Sequence, residues 1–549
     1  MNADCICGGV CGQGARRRSR PPAPEAPRHA PAILRGMSLR PNRVALVLLA
    51  ASLALVYRLT LHPGLASGDS AELQCMSALL GVCHPPGFRF EILAGWLFSR
   101  LPIGPSVAWR INLMMVACGV LGCLALHGAV RRITGRILPA LVAAATLGFS
   151  SVYWAFSTLA EVYVFYGMFL LLAVYATVRF LQGGRAGWLF TAALALGVAV
   201  AERPSELAVA PAFLLAVLLA RRQPAPHVGR LAAAAALFLL PFVATVSLHL
   251  CWYDEQRPWT RDRLLAERVL GRSAEEPGSG VGRLTAALRY CLGLKWTTHA
   301  GFDPQETPRD LRQYAWLLSG GGAWTGKQIR KFRGAEPQFP GTSIGAAGLL
   351  LALVALLRWK QHPPWVALGL GMFVGNLAFY LWHHPWDNLT FTVPGLAGLA
   401  LLAGLGAAWQ PRGWRSAAWG VLCVAAPLFL LVANYRAVDR SRDPEAQAFA
   451  PIRERLLKTD LPRNCVIVGI YWTTVAYRYV LHAEAGRTDI RIVDASPHNW
   501  ARLANHFVQR GEPTFVTLEG QLDPQTLRRL QQHTEPEFQR VGLGRVDGD

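Results

Sequence analysis

Gly68-Asp69-Ser70-Ala71-Glu72 and His84-Pro85-Pro86-Gly87 place two carboxylates and a histidine within one short stretch. A carboxylate within hydrogen-bond reach of a hydroxyl can take its proton as a general base, and Asp69 is the candidate for that role. The same residues also have a local use. Asp69 as helix N-cap and Glu72 as first-turn acid would each stabilise a helix by about 1 kcal/mol. The two uses are compatible, because a cap holds its carboxylate in place. His84 stands on a rigid turn, since two prolines set φ and Gly87 frees the next bend. From there it can donate to a phosphate or orient a carboxylate.

Further candidates lie downstream. Arg110 and Arg203 suit a lipid-linked phosphate, because a planar guanidinium donates two parallel hydrogen bonds; snorkelling to the membrane interface is their other use. Glu161, in Leu159-Ala160-Glu161-Val162-Tyr163, stands at the mouth of an apolar run, where an acid is costly. Trp382-His383-His384-Pro385-Trp386-Asp387 offers two imidazoles and a carboxylate, but the spacing is irregular and no metal is assigned to it. Asp387 is kept as a substrate-binding candidate. Cys5, Cys7 and Cys11 lack a nearby fourth ligand for zinc.

The elements that must hold these residues are membrane spans. The 549-residue chain is 52% hydrophobic and only 16% charged, where a soluble protein carries about a quarter charged residues. Its apolar residues gather in runs of about 17–24, the length a bilayer requires of a helix. The net charge of +21 comes largely from arginines in short loops, which is a positive-inside topology signal and argues against nucleic acid as a partner. Residues 1–43 read as a disordered basic cytoplasmic leader, with Met37 as an alternative start and no cleavable signal peptide. Residues 44–434 read as a transmembrane domain of about eleven helices. Outer loops at 62–106 and 252–341 interrupt it, the first holding short helices at 70–80 and 88–101 that lie along the interface. A single span is expected over 137–156.

Residues 435–549 alternate β-like runs at 465–468, 490–493 and 514–517 with helical stretches, as in a small extracytoplasmic α/β domain. No catalytic constellation is legible in it. Asp69, Glu72, Glu161, Glu202 and Asp387 all fall on the outer side of this topology, which suggests one polar cavity there.

Gly68-Asp69-Ser70-Ala71-Glu72-Leu73, His84-Pro85-Pro86-Gly87, Arg110-Ile111-Asn112-Leu113 and Ala160-Glu161-Val162-Tyr163 occur in an order that resembles a family of multispanning enzymes. These are the GT-C membrane glycosyltransferases related to the animal transmembrane protein O-mannosyltransferase and its bacterial relatives. The resemblance covers about the first 200 residues and, more loosely, Asp387 to Pro394 and Tyr477 to Val493. It implies a GT-C fold and transfer of a sugar, mannose in the family, from a polyprenyl-phosphate donor to an acceptor hydroxyl on a secreted or membrane protein or a glycan. Asp69 would then be the general base, with Glu72, His84 and Glu161 shaping the site and an arginine stabilising the departing lipid phosphate. The resemblance implies no certain cofactor; a divalent metal is compatible with such a site, but nothing in the sequence indicates one. Phe88-Arg89 departs from the Tyr-Pro expected after the HPPG turn, and Arg203 is carried on its chemistry alone. The expected location is the bacterial inner membrane, in contact with its lipids, with the N-terminus cytoplasmic and the site outside.

Two other classes share the polytopic pattern: a transporter or flippase of lipid-linked sugar, and a non-enzymatic envelope assembly protein. A transporter often repeats its site in two halves, and no second copy of the Asp69–Gly87 arrangement occurs.

Overall fold

The computed structural model describes residues 39–220, 227–253, 257–271, 280–294, 301–319, 341–383, 388–518 and 543–546. Residues 1–38 of the basic leader and all of His384–Asp387, with the candidate Asp387, lie outside them; residues 39–43, expected as the disordered end of the leader, instead form the first turn of the first span. The N-terminal half runs through α1 (Leu39–Leu59), α2 (Gly68–Leu79), α3 (Arg89–Ser99), α4 (Val107–Thr134), α5 (Ile137–Gly148), α6 (Ser151–Phe156), α7 (Val162–Gly183) and α8 (Ala186–Glu202). Among the described residues seven helices are long and apolar enough to cross a membrane, and four shorter apolar helices accompany them. The architecture is that of a polytopic α-helical membrane protein.

Local chemistry sets the helix ends. Ser106 caps α4 by accepting from the backbone N–H of Trp109 at 3.1 Å, and Gly135 closes it in the left-handed region at φ 72°. Arg131 and Arg132 occupy its last turn, where cations complement the helix dipole. The single span expected over 137–156 is broken. Phe149 and Ser150 leave the helix, and the Ser150 hydroxyl starts α6 by accepting from Tyr153 N. The Phe149 carbonyl at the break is satisfied from elsewhere: Asn434 Nδ2 donates to it and to Thr342 O, each at 2.7 Å.

The C-terminal domain forms a four-stranded sheet of β1 (Val466–Gly469), β2 (Arg491–Asp494), β3 (Thr514–Thr517) and β4 (Leu543–Val546), in the order β2-β1-β3-β4. β1 pairs in parallel with β2 and β3, and β4 closes the sheet antiparallel to β3. All four residues of β1 and of β3 are buried, as a sheet covered on both faces requires.

This domain packs on the membrane half. One continuous apolar core joins Leu73, Met76 and Ile111 to Val475, Tyr477, Tyr479 and Val480. Polar ties lock the docking. The Tyr479 hydroxyl accepts from Ala108 N at 2.9 Å at the start of α4, and Arg440 N donates to Thr60 O. Helix Pro258–Val269 also reaches the sheet: the Asp262 carboxylate accepts from Ile492 N, on β2, at 2.8 Å.

Candidate functional site

A buried amide network brings the separate loops together. Asn112 of α4 is fully buried and donates to His62 O and Gly64 O, in the chain that follows α1. Its Oδ1 accepts from Gln74 Nε2 of α2 at 2.8 Å and from Ala160 N at 3.0 Å, one residue before Glu161. Gln74 in turn donates to Gly64 O and accepts from Ala66 N. Four segments distant in sequence are thereby held in one register, and each polar group has a partner.

On this frame α2 begins at Gly68, with Ser67 rather than Asp69 as its N-cap residue. Gly68 has φ +56°, and a Cβ there would lie 2.1 Å from the Trp472 ring, so both the backbone and the neighbour demand glycine. Asp69 and Glu72 turn toward His84: His84 Nδ1 lies 2.5 Å from Glu72 Oε2, and His84 N donates to Glu72 Oε1 at 3.1 Å. His84 Nε2 is 3.8 Å from Asp69 Oδ2. Ser70 Oγ donates to Glu161 Oε1 at 2.7 Å, which brings the acid before α7 to the same place. Four expected site residues, Asp69, Glu72, His84 and Glu161, therefore converge.

The residues after the HPPG turn support it. Phe88 sits edge-on to the His84 ring at 5.2 Å, and fully buried Arg89 donates to Gly87 O. Arg89 also contacts His249 Nδ1 and covers Trp252. Glu202 accepts from Phe90 N and Glu91 N, capping the start of α3 from another helix.

The arginines separate. Arg203 lies over the rings of Tyr163, at 4.8 Å, and Phe391, at 3.8 Å, two residues beyond Glu161 in the first case. Arg110 turns away to the loop before its own helix, donating to Ile103 O. Asp387 lies outside the described residues.

The residue that sequence reasoning missed is Tyr471. It opens helix Tyr471–Arg478, directly after β1, and its hydroxyl lies 2.8 Å from both Asp69 Oδ1 and Glu72 Oε2. The C-terminal domain, which has no legible constellation of its own, completes the one in the segment between α1 and α4. A signal was available: ligand sites in α/β sheets gather beyond the carboxyl ends of parallel strands, where Tyr471 stands.

Charge is balanced within the cluster. Burial opposes protonation of His84, but the facing Asp69 and Glu72 carboxylates override it and push the imidazole up to about 9. Burial likewise pushes the Glu72 carboxyl up, and His84 and Tyr471 more than offset this, leaving it below its usual range. Glu161 is pushed up to about 7 by burial and then by Asp69. Asp69, Glu72 and His84 offer oxygen and nitrogen atoms within 4.8 Å of one another, close enough to share one cation. The arrangement supplies a carboxylate that is held on one oxygen and still 40% exposed, which suits proton abstraction from a hydroxyl.

Residues 69–225 match the family described as the Protein O-mannosyl-transferase TMEM260 N-terminal domain. The mouse protein O-mannosyl-transferase TMEM260 is 40% identical over 134 residues, which is 24% of this chain and 18% of the mouse protein. The Dictyostelium discoideum protein of the same name is 30% identical over 147 residues, 26% of this chain and 18% of its own length. The chain thus matches less than a fifth of the length of these curated relatives. In three dimensions it is similar to the apo oligosaccharyltransferase of Archaeoglobus fulgidus, with a TM-score of 0.50 at 12% identity, over 87% of this chain and 70% of the other. The likeness is one of fold, which is GT-C-like. The matched segment starts at Asp69 and contains Glu72, His84, Arg110, Glu161 and Arg203.

Proposed function

We propose that the protein is a membrane glycosyltransferase that moves a sugar, mannose by family resemblance, from a polyprenyl-phosphate donor to an acceptor hydroxyl on a protein. The observation that carries this reading is the half-exposed Asp69 carboxylate, held by Tyr471 beside the His84–Glu72 pair, inside the segment that matches the O-mannosyltransferase domain. Asp69 takes the acceptor hydroxyl's proton as its oxygen bonds to the anomeric carbon, and the bond from that carbon to the phosphate oxygen breaks. Attack from the face opposite the leaving group inverts the anomeric centre. The polyprenyl phosphate leaves with the electron pair.

Arg203 is the better placed of the two arginines to meet that phosphate, because it stacks on Tyr163 near Glu161, whereas Arg110 is engaged with the Ile103 carbonyl. Stacking uses the face of a guanidinium and hydrogen bonding its edge, so one arginine can do both. The His84 imidazole offsets the two carboxylates; a divalent metal is compatible with the same three side chains, and activity lost in EDTA and restored by Mg²⁺ would indicate one.

The acceptor is a secreted or membrane protein. The site and the domain of residues 435–549 face away from the cytoplasm, in a bacterial cell across the inner membrane. Asp387, outside the described residues, is retained as a substrate contact on its place in the sequence.

The deciding experiment is sugar transfer, or slow hydrolysis, from polyprenyl-phosphate mannose by the purified protein and its Asp69→Asn variant. Turnover by wild type alone supports a transferase with its base at Asp69. Turnover by both moves the base to Glu72 or Glu161. Absence of both donor binding and turnover would replace this reading with a carrier or scaffold.

A further inference from the structure

A general base must present one carboxylate oxygen to the incoming hydroxyl, while the other oxygen needs a partner that holds the carboxylate plane. On Asp69 that partner comes from the other domain. Tyr471 Oη is 2.8 Å from Asp69 Oδ1 and 2.8 Å from Glu72 Oε2, and it carries one proton. It can donate to only one of the two acids at a time.

We propose that Tyr471 is the positioning residue of this site: its proton is given to Asp69 while Asp69 is charged and turns to Glu72 once Asp69 has taken the acceptor's proton. This rests on the reading of Asp69 as base. Glu72 already receives two donors from His84, the backbone N–H on Oε1 and Nδ1 on Oε2. His84 Nε2, by contrast, is 3.8 Å from Asp69 Oδ2, beyond hydrogen-bond range. The charged Asp69 is therefore the acid that needs the phenol.

When Asp69 is neutralised, Glu72 becomes the stronger acceptor, and rotation about the phenol C–O bond moves the hydrogen bond without moving a heavy atom. The acceptor's proton stays on Asp69 Oδ2, and Tyr471 keeps its own. Burial, with Glu72 and Asp69 beside it, holds the phenol's pKa well above its ordinary value, so that proton is retained. The groups facing the hydroxyl from the membrane half are Asp69, Glu72 and His84; Glu161 acts on Asp69 and His84 rather than on the phenol, Arg440 acts on Glu161, and Arg478 lies on the tyrosine's own helix. Trp472, packed against Gly68, seats the turn that carries the phenol.

The test compares full-length wild type with Tyr471→Phe, which keeps the ring and removes the hydroxyl. Hydrolysis of polyprenyl-phosphate mannose is followed across pH. The expected result is a fall in kcat of about tenfold, the size of one lost charge-assisted hydrogen bond, with the donor KM unchanged. The acid limb of the profile should move to higher pH, because a carboxylate without its donor is more easily protonated. A second readout needs no turnover. Imidazole NMR of ¹³C-histidine protein, with the His84 signal assigned by His84→Gln, should show the His84 midpoint rising in Tyr471→Phe.

An unchanged kcat and acid limb, or an unmoved His84 midpoint, overturns the proposal. If wild type does not turn over donor, the reading of the activity fails by itself. The NMR arm still decides whether the tyrosine is coupled to the acids.

Discussion

His84 shows how one side chain can hold a site together through charge. Its imidazole is raised from an ordinary 6.5 to about 9 because, despite burial, two carboxylates face it. A base whose folded value is raised gives stability that is full below the unfolded value and lost as pH climbs through the folded one. The thermal midpoint of the purified protein is therefore expected to fall between pH 6.5 and about 9, and His84→Gln should flatten that slope. Glu161 has the same sense by a different cause: raised to about 7, chiefly by burial, it weighs increasingly against folding as pH rises from 4.5 toward 7. Glu161→Gln should remove this cost, and the variant's midpoint should gain on wild type across that interval.

Among the elements, α2 and α4 decide where the acids point. Gly68 lets α2 start in a left-handed turn under Trp472. Gly68→Ala would strain that turn by about 1–2 kcal/mol and force the ring to move; a lowered thermal midpoint and a larger fall in sugar transfer are expected together. Asn112 does comparable work inside α4. Asn112→Leu would strand Ala160 N and the His62 carbonyl in an apolar interior, and take one of their partners from Gln74 Nε2 and Gly64 O. Each stranded group costs on the order of 1–3 kcal/mol, so poor yield of folded protein in detergent is the expected outcome, with near-normal stability counting against the network.

For the whole molecule, the C-terminal domain is part of the site and not an appendage. Its docking on α4 includes a hydrogen bond from Ala108 N, in the helix's first turn, to the Tyr479 hydroxyl. Tyr479→Phe leaves that N–H buried and unpaired, a cost of about 1–3 kcal/mol. Limited proteolysis should then cut sooner in the segment after Val438, and transfer should fall even though no residue touching Asp69 has changed. Equal proteolysis rates would assign the docking to the apolar contacts alone.

The membrane class, the order of the elements and most of the cluster are legible in the sequence, because they depend on local signals. Apolar runs of span length, arginines in short loops, and Asp69, Glu72, His84 and Glu161 at the ends of those runs can each be read within a few dozen residues. The three strands of the tail, at Val466, Arg491 and Thr514, are legible for the same reason. The break at Phe149-Ser150 is not, since the Phe149 carbonyl is satisfied by Asn434 from a remote helix. Nor does sequence spacing separate Arg110 from Arg203, because a snorkelling and a site-facing arginine share the same flanks.

Tyr471 is the clearest case. It lies about 400 positions from Asp69, and nothing local distinguishes it from any tyrosine that opens a helix. Only the packing of one domain on the other makes its hydroxyl a partner of the acids. Spans follow from the solvent each residue must avoid; the completed site follows from which surfaces then meet.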